Sequence, residues 1–125
     1  MNVVDSSAWM AWFAGNGNAR HFGAVINDTA NLLVPSVTLT EVFKSVSRQR
    51  DEESAIRAVT QMEQGHIVSL DESLAIDAAV CGLEFKLPLA DSIIYATARK
   101  FGATLWTQDA DFERLSGVKS FPGNL

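Results

Sequence analysis

A chain of 125 residues has room for one domain with its own core, and its single cysteine excludes an intrachain disulfide or a cysteine zinc site. A net charge of −5 excludes a polybasic coat for nucleic acid, but not an enzyme that gathers acid around a metal ion. No apolar run approaches the roughly 18 residues of a membrane span, and the start MNVVDSSAW lacks the basic region of a secretion signal, so a cytoplasmic setting is expected.

The β-branched Val3 and Val4 predict a buried strand over Asn2 to Asp5. Ser6 or Ser7 then caps a helix whose apolar set is Trp9, Trp12 and Phe13, stopped by Gly15-Asn16-Gly17. A second helix is expected from Asn18 to Asn27, and a second strand from Leu32 to Val34 closed by Pro35. The third helix carries the stripe Leu39, Val42, Phe43 and Val46. The fourth spans Asp51 to Gln64 with Ile56, Val59 and Met62 inward, and Gly65 stops it. His66 to Leu70 is a third strand, and Asp71 opens a fifth helix in which Cys81 packs near Ile76 and Val80 as a small core residue. A sixth helix from Leu89 to Gly102 leads to the strand Ala103 to Trp106. An acidic turn, a short helix around Phe112 to Leu115 and an edge strand from Val118 to Phe121 complete the chain. Short apolar strands alternating with helices predict one three-layer α/β/α domain over residues 1–125 with a short, mostly parallel central sheet.

Four acids sit just after a predicted strand or at the start of a helix: Asp5, Glu41, Asp91 and Asp109. Each has a structural alternative. Asp5 can cap the first helix, and Thr38-Leu39-Thr40-Glu41 matches a capping box. Asp91 suits a first-turn dipole, and Asp109 with Asp111 suits a solvated turn. Asp91, however, has Ile94, Tyr95 and Ala98 as helical neighbours, so it borders an apolar face and needs a partner or a cation. A parallel sheet aims all four acids at one end, where they repel and raise one another's pKa. Mg²⁺ or Mn²⁺ relieves that repulsion, stabilises phosphate oxygens and activates water for phosphodiester hydrolysis. Ser6 and Thr107 place hydroxyls beside these acids, and Lys44 and Arg48 on the helix that bears Glu41 suit either contacts to substrate phosphates or solvated charges that complement the helix dipole.

The segments VVDSSAW, LTEVFK and LPLADSIIYATARKFGATLWTQDADF resemble the PIN-domain ribonucleases, in particular the VapC-type toxins of toxin–antitoxin modules. The resemblance spans essentially the whole chain, and its most specific part pairs LADxxIxATA with LWTxDxDF. It implies catalytic, metal-binding acids at Asp5, Glu41, Asp91 and Asp109, a supporting hydroxyl at Thr107, and a further acid of the motif at Asp111. It also implies Mg²⁺- or Mn²⁺-dependent endonucleolytic cleavage of RNA such as tRNA, a homodimer, and a cognate antitoxin protein.

Metal-assisted hydrolysis predicts 5′-phosphate and 3′-hydroxyl ends. A histidine mechanism predicts a 2′,3′-cyclic phosphate, and only His21 and His66 are present to serve it. Two other classes compete: a phospho-acceptor receiver domain, which needs a lysine after a late strand, and a non-catalytic domain that binds RNA or a partner.

Overall fold

The computed structural model describes residues 1–122, in which five short strands alternate with six helices. The strands are β1 (Asn2–Val4), β2 (Leu32–Pro35), β3 (His66–Val68), β4 (Thr104–Thr107) and β5 (Val118–Ser120). The helices are α1 (Ser6–Ala14), α2 (Ala19–Asn27), α3 (Ser36–Gln49), α4 (Glu52–Met62), α5 (Glu72–Phe85) and α6 (Leu89–Lys100). Every strand pairing is parallel, and the order across the sheet is β3-β2-β1-β4-β5. The sheet expected to be mostly parallel is therefore wholly so.

Alternation along each strand feeds two cores. Val3, Leu33 and Leu105 point to one face, where Leu74 and Ala78 of α5 and Ile94, Tyr95 and Ala98 of α6 cover them. Val4, Leu32 and Val34 point to the other, against Trp9, Phe22, Val42 and Met62 from α1 to α4. Each such side chain taken out of water contributes about 1.5–3 kcal/mol, which is why strands of only three and four residues hold as a sheet.

The chain builds outward from β1 to β2 and β3, then returns to the far side of β1 for β4 and β5. Strand order thus reverses between β1 and β4, and the carboxyl ends of those two strands flank the crevice where open α/β sheets take ligands. The same order excludes the receiver reading, whose fold runs 2-1-3-4-5. Gln108, not lysine, follows β4.

Several local expectations change. In α4 the buried face is Ala55, Ala58 and Met62, while Val59 is partly covered and Ile56 is exposed. Apolar residues occur at both phases of that helix, and the small face lets it lie close to α3. In α5 the covered face is Leu74, Ala78 and Cys81, whereas Ile76 and Val80 face water. Gly82 sits against Ser92 of α6, where a β-carbon would lie 2.6 Å from the hydroxyl. The helix expected around Phe112 to Leu115 is a 3-10 turn at Ala110–Phe112, and a second such turn, Thr29–Asn31, precedes β2. Of the α1 set, Trp9 is fully buried and stacks on Phe13 at 5.8 Å between ring centroids, with Trp12 and Phe13 half-covered.

Candidate active site

Asp5 follows the last residue of β1 in an extended conformation and is 2% exposed. One carboxylate oxygen accepts from the Ala8 amide at 2.9 Å and from the Ser7 hydroxyl at 2.8 Å. The other accepts from the Thr107 hydroxyl at 2.7 Å. Asp5 is therefore the N-cap of α1, in place of Ser6 or Ser7, and at the same time a buried acid at the sheet edge. Burial pushes its carboxyl up to about 6; the bonds from Thr107, Ala8 and Ser7 pull against this, and the charge of Asp109 adds to it.

Thr107 ends β4 directly across from this position and is fully buried. Its oxygen also accepts from the Asp109 amide at 2.8 Å, so one hydroxyl ties two acids from neighbouring strands together. Asp109 in turn accepts from the Asp111 amide at 2.9 Å and caps the 3-10 turn. Replacing Thr107 by valine keeps the shape and removes both bonds. The loss expected is about 1–3 kcal/mol of unfolding free energy at pH 8, read by urea titration. Unchanged stability would mean that water already satisfies Asp5 and the Asp109 amide.

Asp91 lies in the first turn of α6 and is half-buried. Its carboxyl is pushed up to about 7, first by loss of water and then by the like charges of Asp109, Asp5, Asp111 and Glu41. Asp91, Asp109 and Asp111 each present a carboxylate oxygen, and the three oxygens lie within 4.8 Å of one another. Asp111, the most exposed of the three, is thus part of the cluster.

Glu41 is not the partner in a capping box. Helix α3 starts at Ser36 after Pro35 with no side-chain cap, and the Thr38 hydroxyl donates to the Pro35 carbonyl at 2.7 Å. Glu41 is then too deep in the helix to reach its start, and it accepts from the Ser6 hydroxyl at 2.5 Å instead. Ser6 holds Glu41 while Ser7 holds Asp5. Ser7 was expected only as a helix cap, not as a partner of Asp5; the only hint in the sequence is its place two residues after an acid that caps a helix. Lys44 and Arg48 are exposed and share the Glu41 face of α3 at i+3 and i+7.

The cluster has no cationic partner: among the described residues the one ion pair is Arg57 with Glu53 on α4, with nitrogen and oxygen 3.0 Å apart. Converging carboxylates with hard oxygen donors and no counter-charge fit a divalent cation of the Mg²⁺ or Mn²⁺ type.

Comparison with known proteins agrees with this fold. A toxin–antitoxin complex from Klebsiella pneumoniae contains a chain of the same fold, with a TM-score of 0.81 at 22% identity over 98% of this chain and 99% of that one. VapC20 of Mycobacterium tuberculosis, a toxin that cleaves the sarcin–ricin loop, gives a TM-score of 0.76 at 21% identity over 93% and 95% of the two chains. DNA-bound VapBC from Salmonella typhimurium gives 0.73 at 18% identity over 97% and 96%. No curated protein matches the sequence. The sequence profile of the PIN domain matches residues 3–118, which covers β1 through the start of β5, and the chain belongs to the PIN-domain family.

Proposed function

We propose that this protein is a metal-dependent endoribonuclease and the toxin of a toxin–antitoxin pair. It would form a homodimer, and a separate antitoxin protein would inhibit it. The observation that carries this reading is the convergence of Asp91, Asp109 and Asp111 in the field of Asp5 and Glu41 at the strand-order reversal of a PIN fold. The likeness to a toxin that cleaves the sarcin–ricin loop supports a structured RNA, a class that includes tRNA, as the substrate. The likeness to VapBC complexes supports the antitoxin. No helix among the described residues is long and apolar enough to cross a membrane.

In this reading Asp91, Asp109, Asp5 and Glu41 would hold one or two divalent cations, with Asp111 at the outer rim. A cation held there supplies Lewis acidity toward phosphate oxygens and a water acidic enough to attack at neutral pH. Thr107 and Ser7 fix the rotamer of Asp5, and Ser6 fixes that of Glu41, so the acids are positioned before substrate arrives. A cation there would compete with the Asp91 proton, so cation affinity would rise with pH around 7. Lys44 and Arg48 extend from the Glu41 face of α3 and would meet RNA phosphates beside the site.

Partner-free protein incubated with total RNA and Mg²⁺ or Mn²⁺ is expected to make discrete cuts that vanish with EDTA and leave 5′-phosphate ends. Cyclic phosphate ends, or cleavage indifferent to EDTA, would sink the metal reading. Reversing the charges of Lys44 and Arg48 is expected to weaken RNA binding and flatten its salt dependence. Metal binding with no turnover on any RNA pool would favour the non-catalytic alternative.

A further inference from the structure

Arg114 stands beside the acid cluster without neutralising it. Its Nη1 donates to the Asp111 carbonyl at 3.2 Å and its Nη2 to the Phe85 carbonyl at 2.6 Å, so backbone oxygens of two separate segments fix the guanidinium. It forms no ion pair with a carboxylate among the described residues. A guanidinium carries more donors than these two bonds use, in a fork that matches a phosphate, and the residue is exposed. The residue after Phe85 brings a second exposed cation. Lys86 ends α5 at φ 57° and is the one non-glycine residue at positive φ among the described residues. Its amide and that of Leu87 both donate to the Gly82 carbonyl, a helix stop that glycine makes at less cost. A lysine in that conformation gives up stability, and what it gains is a charged side chain at this place.

The two cations belong to the layer of α5 and α6. Phe85 packs there against Tyr95 at 5.3 Å between ring centroids, in the core that also holds Phe112. Lys44 and Arg48 belong to α3, whose Val42 lies in the core on the other face of the sheet. The acids at the carboxyl ends of β1 and β4 lie between the two layers.

We propose that Arg114 and Lys86 form a phosphate subsite that holds a nucleotide flanking the one cut, so that the RNA strand crosses the acid cluster anchored by cations from both layers. This rests on the nuclease reading above and names a substrate contact for it. Arg114 donates to two non-bridging oxygens at once, and Lys86 adds a point charge. Because backbone carbonyls already hold the guanidinium, little side-chain freedom is lost when a phosphate arrives. Glu84 and Glu113 flank the pair in sequence, so the subsite draws a phosphate presented by a strand rather than free phosphate.

The test is binding of labelled bulk tRNA by the full chain carrying Asp91→Asn, in Mg²⁺ at several salt concentrations, with a melt of each variant. Arg114→Gln and Lys86→Gly are each expected to weaken binding about tenfold and to lower the salt slope by about one. Lys86→Gly is also expected to raise the melting temperature, because it relieves the positive φ, so stability and affinity move in opposite directions. Arg114→Lys keeps the charge and loses the tether, so it keeps the salt slope and part of the affinity. Lys100→Gln, at the far end of α6 from Asp91, removes the same charge and is expected to leave the slope unchanged. Melting temperatures that shift while affinity and slope stay put make both residues purely structural and overturn the subsite. Equal slope losses from Lys100→Gln and Arg114→Gln reduce the effect to net charge and overturn it too. Cleavage by the same substitutions without Asp91→Asn separates the two readings. Loss in KM rather than in kcat is expected. Cleavage indifferent to both substitutions overturns the subsite alone, whereas the predicted slope losses with no cleavage of any RNA by wild type uphold the subsite and overturn the nuclease.

Discussion

Asp91→Asn is expected to reduce RNA cleavage by about 10³-fold and, in the absence of divalent cations at pH 8, to make the protein more stable. Both effects come from the same carboxylate. At pH 8 Asp91 is ionised although loss of water and four neighbouring acids push its carboxyl up to about 7. Holding that charge costs the folded state free energy that the unfolded chain does not spend. The group is only partly covered, so solvent screens part of the repulsion, and about 1–2 kcal/mol remains to be recovered by a neutral isostere. That corresponds to a rise of roughly 5 °C in melting temperature for a domain of this size. Destabilised metal-free protein is what a site built to receive a cation looks like before the cation arrives. Initial rates on a mapped RNA substrate and a melt in EDTA check the two halves. Cleavage within tenfold of wild type would remove Asp91 from the reacting set. A fall in melting temperature would make its carboxylate a helix-dipole partner and nothing more.

Metal-free protein is expected to lose stability as pH rises from about 4 to about 7, opposite to the usual behaviour of paired carboxylates. Asp5, raised to about 6, and Asp91, raised to about 7, both start from an ordinary value of 3.8. Between those limits the folded state keeps protons that the unfolded chain has released. Their stabilising contribution is therefore complete below the unfolded value, shrinks as pH climbs through 6 and 7, and is absent above. For the buried Asp5 the rise to about 6 corresponds to about 3 kcal/mol, with a smaller share from Asp91. Asp51, whose carboxyl the Ser54 amide and hydroxyl hold below the usual range, acts in the opposite sense but only at lower pH. Urea unfolding in EDTA at pH 5 and pH 8 measures the difference. Saturating Mg²⁺ should cancel it, since cation bound only to the folded form adds about 2.7 kcal/mol at a hundredfold excess over Kd. A flat profile in EDTA would mean that the acids are solvated separately and do not form one cluster.

The acids at the sheet edge were visible from local pattern. A β-branched run followed by Asp5, an acid in the first turn of a helix with an apolar face, and an aspartate two residues past a strand are all features of a few adjacent residues. Parallel topology then directs them to one end. Glu41 was visible as a residue but not in its local role. The string Thr38 to Glu41 satisfies a capping box, and only the start of α3 at Ser36 shows that the glutamate lies too far along to cap it. Ser6 and Ser7 are equivalent in sequence. Which one serves Asp5 and which serves Glu41 depends on where α3 passes α1.

The sequence by itself determined the succession of strands and helices, the α/β class and the residues at the strand ends, because each rests on period, capping and hydrophobicity within one element. Only the tertiary structure decided the strand order, the pairing of each serine with its acid and the covered faces of α4 and α5. Those choices depend on contacts between segments far apart in the chain. In α5 both faces are apolar, so periodicity had no preference to express, and the side that turned inward is the one on which Leu74, Ala78 and Cys81 join the core and Gly82 lies close against Ser92.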